Sequence, residues 1–151
     1  MNNKRFLLGV MAIFSMHAAE IPEESKKKER SVQEFTAKDN FGEIISQGIV
    51  VLDLHAPWCG PCRAYKAAFE VVADELVNQD KDAYKFISIN IDEHEAIADK
   101  LRVRSIPLTI VYRNGKRIGD QSGNMSRIML KEFINRVVAE DTNKEITRRK
   151  K

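Results

Sequence analysis

The sequence predicts an α/β domain with a central mixed sheet of four to five strands and helices on both faces. Strand-like and helix-like segments alternate along most of the chain, which is the order that places helices on the faces of a parallel sheet. The apolar, β-branched run at residues 49–54, interrupted only by Asp53, is typical of a strand buried on both faces. Asn114 and Gly115 separate two further strand-like runs, so the sheet also contains an antiparallel hairpin.

The predicted elements end with the hairpin and a last helix. The predicted strands are residues 32–35, 49–54, 84–91, 108–112 and 116–121. The predicted helices are residues 40–46, a segment that begins near Cys59, residues 93–101 and a segment that begins at Ser126. Apolar residues recur at helical spacing in the second and last helices, so each has one face to bury. Ser126 belongs to the residue types that cap helix N-termini well.

Residues 1–19 have the three-part plan of a secretory signal peptide. Lys4 and Arg5 precede an uncharged, largely apolar run at residues 6–16, and small residues follow it. This run is shorter than the about 20 residues that a membrane-spanning helix needs. We therefore expect an exported protein, periplasmic or secreted. The alternatives are a cytoplasmic protein, if the segment is not a signal, and a membrane-anchored one, if the segment stays uncleaved.

Polar segments flank the predicted domain. Residues 20–31 predict a linker, residues 32–139 the folded domain, and residues 140–151 a polar, basic tail. The formal net charge of +3 is small, and much of the basic excess lies in the flanking segments. The domain has no basic stripe for a nucleic-acid partner, and no heptad repeat or spare cysteine indicates an oligomer. We expect a monomer that does not bind nucleic acid.

The two cysteines, Cys59 and Cys62, are the most informative residues in the sequence. Scaffolds that depend on disulfides use more cysteines and close longer loops. A zinc site needs two further ligands, and the three histidines form no second pair. The spacing therefore favours a redox-active cysteine pair that uses neither a metal nor an organic cofactor.

The position of the pair suits thiol chemistry. A thiol attacks a disulfide only as the thiolate. Cys59 begins a helix, where free backbone N–H groups and the helix dipole favour negative charge. Cys62 is one helical turn further on, so it can reach Cys59 and resolve a mixed disulfide. Pro61 is tolerated in the first turn because the N–H that it lacks would be unpaired there.

This part of the chain resembles the thioredoxin family. The residues that reproduce the active-site motif of the family are Trp58, Cys59, Gly60, Pro61 and Cys62. The resemblance covers residues 32–138 and implies the thioredoxin fold. Asp53 matches the buried aspartate of the family, and Gly123 matches the glycine before its last helix. Ile106 and Pro107 match its dipeptide with a cis peptide bond.

The resemblance implies a role for each of these residues. Cys59 is the attacking thiolate, Cys62 resolves the mixed disulfide, and the two close a redox disulfide. Asp53 is the general base for Cys62, and the cost of burying a carboxylate in an apolar strand is consistent with such a role. The implied substrate-binding residues are Trp58, Gly60, Pro61, Ile106, Pro107 and Gly123.

Other residues near the motif depart from the family pattern. His55 occupies a position where the family commonly has an aromatic residue, and it either packs as a structural histidine or perturbs the site electrostatically. Ser88 stands where the family often has a lysine near the buried aspartate, so Asp53 is expected to titrate differently here. His94, near the start of a helix, is expected on the surface.

The sequence therefore predicts a thiol–disulfide oxidoreductase that reduces protein disulfides. Gly60 and Pro61 between the cysteines resemble the reducing members of the family more than the oxidising ones. The alternatives are a periplasmic disulfide oxidase or isomerase, which the same compartment would house, and a non-catalytic binding module. The expected partners are disulfide-containing proteins and a thiol-reducing electron donor, which is either a membrane relay or thioredoxin reductase.

Overall fold

The computed structural model describes residues 30–150, and the predicted signal peptide lies outside them. The strands are β1 (Val32–Glu34), β2 (Ile49–His55), β3 (Tyr84–Asn90), β4 (Leu108–Arg113) and β5 (Lys116–Ser122). The helices are α1 (Phe41–Ile45), α2 (Gly60–Gln79), α3 (Glu95–Leu101) and α4 (Arg127–Arg149). None of these helices combines the length and the apolar character that crossing a membrane requires.

The strands form one mixed sheet in the order β1-β3-β2-β4-β5. β3 pairs in parallel with both β1 and β2, whereas β4 pairs antiparallel with both β2 and β5. Side chains of α2 and α4 pack on one face of the sheet, and side chains of α1 and α3 pack on the other. The predicted fold class is confirmed, with five strands in the sheet.

β2 is the central strand, and residues 50–54 within it are all buried. The side chains that pack toward α1 and α3 are Val50, Leu52 and Leu54. Val51 packs on the opposite face, among side chains of α2 and α4. Because side chains alternate along a strand, Asp53 and His55 share the face of Val51. The strand is buried on both faces, as predicted, and its polar residues point toward α2.

Local signals determine where the elements begin and end. The strands begin and end within one residue of their predicted bounds. Ser126 Oγ accepts a hydrogen bond from the backbone N–H of Met129 at 3.3 Å, which confirms the predicted cap of α4. Asn114 and Gly115 both have positive φ, 47° and 81°, as a two-residue hairpin turn of this kind requires.

α4 is longer than predicted, because it continues through the predicted tail to Arg149. Asp141 accounts for the extension. It is buried, its carboxylate accepts a hydrogen bond from Lys116 Nζ, and Arg113 Nη1 lies 3.8 Å away. Both cations belong to the hairpin strands, so these ion pairs hold the part of α4 around Asp141 against the sheet. The sequence did not predict this extension, because polar composition alone does not reveal a carboxylate that pairs with a distant strand.

Replacing Asp141 with alanine leaves Lys116 and Arg113 without this carboxylate. We expect Asp141→Ala to lower the free energy of unfolding by about 1–3 kcal/mol in urea titrations, as when a buried charged group loses its partner. Glu140→Ala is the matched control, because Glu140 pairs with Arg136 at the surface, and exposed pairs contribute about 0.5 kcal/mol or less. Equal losses in the two variants would contradict the anchoring role of Asp141.

Candidate active site

The cysteine pair lies at the junction of β2 and α2. Cys59 is the N-cap residue of α2, with φ −76° and ψ 106°, and Pro61 lies in the first turn of the helix. Cys59 and Cys62 form a disulfide with an S–S distance of 2.03 Å. Both are buried in a small cluster with Ala56. The structure therefore joins the two residues that the sequence predicted as the reacting pair.

The start of α2 favours negative charge on Cys59. The backbone N–H of Cys62 donates a hydrogen bond to Cys59 Sγ at 3.1 Å, so the sulfur acts as the N-cap acceptor. The helix has 20 residues and no acidic residue in its first turn, so no carboxylate there opposes the positive end of its dipole. The start of α2 therefore places Cys59 Sγ where backbone N–H groups and the helix dipole favour a negative charge.

Asp53 lies on the face of β2 that α2 covers. It is only 4% exposed, and its Oδ1 has no hydrogen-bond partner within residues 30–150. The pKa of Asp53 is raised to about 7, chiefly by burial and further by Glu34, while Lys66 lowers it. The residues beside it on the neighbouring strands, Ser88 and Thr109, are uncharged. The carboxyl group therefore titrates near neutral pH, where thiol exchange takes place.

A cavity of about 240 Å³ borders Asp53. Glu34, Lys66 and Ser88 contribute to its lining, together with residues of α2 and β1. Because Ser88 carries no charge, the cation that lowers the pKa of Asp53 comes from α2, as Lys66. The cavity has ample volume for water molecules, which can exchange protons with the buried carboxyl group.

Trp58 is exposed beside the disulfide. Its side chain is 68% exposed, and the indole Nε1 donates a hydrogen bond to Asp92 Oδ2 at 2.9 Å. This bond orients a large apolar surface next to Cys59. The role of Asp92 is not predictable from the sequence, because an aspartate in a polar loop carries no pattern that reveals its partner.

The segment that leads into β4 also meets the cysteine pair. The peptide bond between Ile106 and Pro107 is cis, in agreement with the prediction. Ile106 packs against the cluster that contains the cysteines. Gly123 has φ 93°, which favours glycine, and its N–H donates to the Pro107 carbonyl oxygen at 2.8 Å. Gly60 and Pro61 are exposed at the start of α2.

The two histidines that the structure describes differ in their surroundings. His55 is half-buried, and its Nε2 has no hydrogen-bond partner within residues 30–150. Burial is the main cause that lowers the pKa of His55. His94 is not on the open surface as predicted, because its Nε2 lies 3.0 Å from the Phe35 carbonyl oxygen and its ring packs edge-on against Phe35. That contact joins distant parts of the chain, so the position of His94 near a helix start did not reveal the contact.

Known proteins share this sequence pattern and this geometry. The family model for thioredoxin matches residues 32–136. The chain belongs to the thioredoxin family. Within residues 30–150 of this thioredoxin-family chain, no group of three or more His, Cys, Asp or Glu side chains could hold a metal ion.

Relatives and solved structures agree with this assignment. The thioredoxin of Porphyra purpurea is 30% identical over 110 residues, which cover 72% of this chain and 99% of that protein. The thioredoxin of Bacillus subtilis is 33% identical over 97 residues, which cover 64% of this chain and 89% of that protein. The crystal structure of thioredoxin from Trypanosoma brucei brucei has a TM-score of 0.64 and 27% identity, covering 76% of this chain and 96% of that one. This thioredoxin-family chain is a thiol–disulfide oxidoreductase.

Asp53 makes the stability of the oxidised protein depend on pH. Its pKa is about 7 in the folded protein against an ordinary value of 3.8, so the folded state binds more protons between these values. The resulting stabilisation is fully present below about pH 4 and is lost as the pH rises through 7. We expect Asp53→Asn to exceed the wild type in unfolding free energy by about 2–4 kcal/mol at pH 8, and by little at pH 4.

Urea unfolding at the two pH values measures this difference. Asp120→Asn is the control, because Asp120 is exposed and pairs with Arg117 at the surface. That variant should show no comparable gain at pH 8. If Asp53→Asn changed the stability equally at both pH values, the raised pKa of Asp53 would be refuted.

Reduced protein should show two distinct thiol reactivities. We expect the rate at which iodoacetamide alkylates Cys59 to rise with a pH midpoint below about 8.5, the pKa of a free cysteine. The reason is that the start of α2 stabilises the Cys59 thiolate. Cys62→Ser isolates the reactivity of Cys59, and Cys59→Ser isolates that of Cys62. Mass spectrometry of the alkylated peptides gives both rates. Equal rates in the two variants near neutral pH would disprove the assignment of Cys59 as the nucleophile.

Proposed function

We propose that this protein reduces disulfides in protein substrates, with Cys59 as the attacking sulfur and Cys62 as the resolving sulfur. The observation that carries the proposal is the Cys59–Cys62 disulfide at the N-terminus of α2. The buried carboxyl group of Asp53, with its pKa near neutrality, supports a role as the base for Cys62. The similarity to thioredoxins of several organisms supports the reducing direction.

The reaction transfers two electrons from the dithiol to the substrate. The Cys59 thiolate attacks one sulfur of the substrate disulfide, that S–S bond breaks, and the departing sulfur takes a proton from water. Asp53 then accepts the proton of the Cys62 thiol. The Cys62 thiolate attacks Cys59 Sγ, the S–S bond between Cys59 and the substrate breaks, and the enzyme disulfide closes. The second substrate sulfur leaves as a thiolate and takes a proton from water.

The substrate-binding surface in this proposal lies around the disulfide. Trp58 offers an exposed ring held by Asp92, and Ile106 packs against the cysteine cluster. The remaining proposed contacts are Gly60, Pro61, Pro107 and Gly123. Such a surface combines apolar side chains with backbone groups, which suits an extended segment of a protein substrate.

We also propose that the protein works outside the cytoplasm. The basic and apolar segments at residues 1–19 support export. A protein that reduces disulfides in an oxidising compartment needs a supply of electrons, so its partner would be a membrane relay or a second thiol-reducing protein. Expression with and without residues 1–19, followed by cell fractionation, tests export directly. Equal distribution of the two forms would contradict it.

Insulin reduction with dithiothreitol as the electron source tests the function. We expect the wild type to accelerate precipitation of the insulin chains, and both cysteine variants to lose the activity. Cys62→Ser should also trap a mixed disulfide with the substrate, whereas Cys59→Ser should not, because only Cys59 attacks. Wild-type activity in Cys59→Ser would exclude the proposed mechanism.

The reduction potential of the cysteine couple tests the direction. We expect a potential at or below that of the glutathione pool, measured by equilibration with glutathione buffers. A potential well above that pool would make the protein a disulfide oxidase or isomerase instead of a reductant.

A further inference from the structure

Two buried polar atoms lack hydrogen-bond partners within residues 30–150, and both belong to β2. They are Asp53 Oδ1 and His55 Nε2. The two residues share the face of β2 that α2 covers, and the cysteine pair lies at the start of α2. Buried polar atoms are nearly always paired, and an unpaired one destabilises the fold. Two of them, two positions apart on the strand that leads to the redox disulfide, point to a function in the reaction.

We propose that His55 is a positioning residue that shares one proton with Asp53 and thereby keeps the Asp53 carboxylate available to Cys62. This inference rests on the proposed role of Asp53 as the base. It extends that role by giving the proton of Asp53 a second place to reside inside the protein.

The proton balance of the shared state is simple. A proton moves from the carboxyl oxygen of Asp53 to a ring nitrogen of His55, so one O–H bond breaks and one N–H bond forms. The product is a carboxylate beside an imidazolium, with no change in net charge. The carboxylate then accepts the proton of the Cys62 thiol, and the imidazolium later returns its proton to solvent.

Burial explains why the two groups act as a pair. It raises the pKa of Asp53 and lowers the pKa of His55, so each group on its own resists becoming charged. Proton transfer from Asp53 to His55 forms an ion pair. This lowers the cost of charging each group, because the two opposite charges stabilise each other. At neutral pH, His55 is thus a neutral acceptor beside a carboxyl group that is partly protonated.

The surrounding charges act on both residues together. Glu34 of β1 favours protonation of Asp53 and of His55, and Lys66 of α2 opposes protonation of both. Asp92 and Glu93, which follow β3, favour the protonated form of His55. Because Glu34 and Lys66 act on both Asp53 and His55, these two residues lie in one electrostatic environment.

The other neighbours of Asp53 leave its Oδ1 open for this exchange. Tyr65 of α2 stays neutral, because burial raises its pKa, and its hydroxyl group is 2.6 Å from Thr109 Oγ1. Ser88 of β3 is uncharged. Residues two apart on a strand are about 6.5–7 Å apart at Cα, so side chains or one bridging water can connect Asp53 with His55.

The experiment follows the reaction of reduced protein with 5,5′-dithiobis(2-nitrobenzoate) by stopped flow between pH 5.5 and 9. The first release of thionitrobenzoate reports the attack by Cys59, and the second reports resolution by Cys62. We expect His55→Phe and His55→Gln to move the midpoint of the second phase upward by about 0.5–1 pH unit. The second phase would then be about threefold to tenfold slower near pH 6 and nearly unchanged at pH 9.

Two variants separate the relay from other roles of the histidine. His55→Phe keeps an aromatic ring without titratable nitrogen, and His55→Gln keeps a polar side chain that cannot be protonated. His94→Gln is the control, because it removes a histidine that contacts Phe35 instead of β2, and it should leave the second phase unchanged. A wild-type profile in His55→Gln would overturn the proposal, as would a downward shift in either variant.

The Asp53→Asn background distinguishes this inference from the proposed function. In that background, His55→Gln should produce no further shift of the second phase, because the histidine acts through the carboxylate. A persisting shift would mean that His55 acts on the sulfurs directly and would overturn the shared proton. If Asp53→Asn alone leaves the second phase intact, the base role of Asp53 fails and the relay fails with it. If Asp53→Asn slows that phase and the His55 variants do not, only the relay fails.

Discussion

The register of β2 is the constraint on which both the fold and the site depend. β2 pairs along its length with β3 on one side and with β4 on the other, and residues 50–54 are buried. A shift of one residue would turn every side chain to the opposite face. Asp53 would then leave the face of α2, and apolar residues of β2 would meet the wrong helices. The burial that stabilises the sheet thus also fixes the distance and direction from the carboxyl group to the sulfurs.

The buried carboxyl group of Asp53 costs the fold more free energy than an apolar side chain would at the same position. Asp53 lies in an otherwise apolar strand, with one oxygen unpaired within residues 30–150. The apolar cluster formed with Val51, Phe69 and their neighbours offsets that cost. Glu34 raises the pKa of the carboxyl group, and Lys66 lowers it. Small changes on the surface of β1 or α2 can therefore alter the acid–base chemistry of a buried group without disturbing the core.

Local patterns in the sequence determined most of the architecture. The apolar run of β2, the turn at Asn114 and Gly115, and the cap at Ser126 each depend on neighbouring residues, so they were predictable. The extension of α4, anchored by Asp141, depends on side chains far away in the chain, so local patterns did not predict it.

The same distinction applies to the site. The cysteine pair follows from spacing and from its position at a helix start, whereas Asp53, Ile106 and Gly123 came from the family resemblance. Neither route could reveal the bond from Trp58 to Asp92, nor the action of Glu34 and Lys66 on the buried carboxyl group. Those interactions arise only when separate elements pack together.

The extended α4 gives the molecule two ends of different character. Its N-terminus follows Gly123, which bonds to Pro107 close to the cysteines, and its later turns reach the hairpin strands near the turn. Arg113 pairs with Ile49 at the start of β2, whereas the cysteines follow the end of β2. The hairpin turn and the cysteine pair therefore lie at opposite ends of the strands. A helix of 23 residues spans about 34 Å. A tether or solid support attached near Arg149 would therefore hold the domain with its disulfide turned outward, free to meet large substrates.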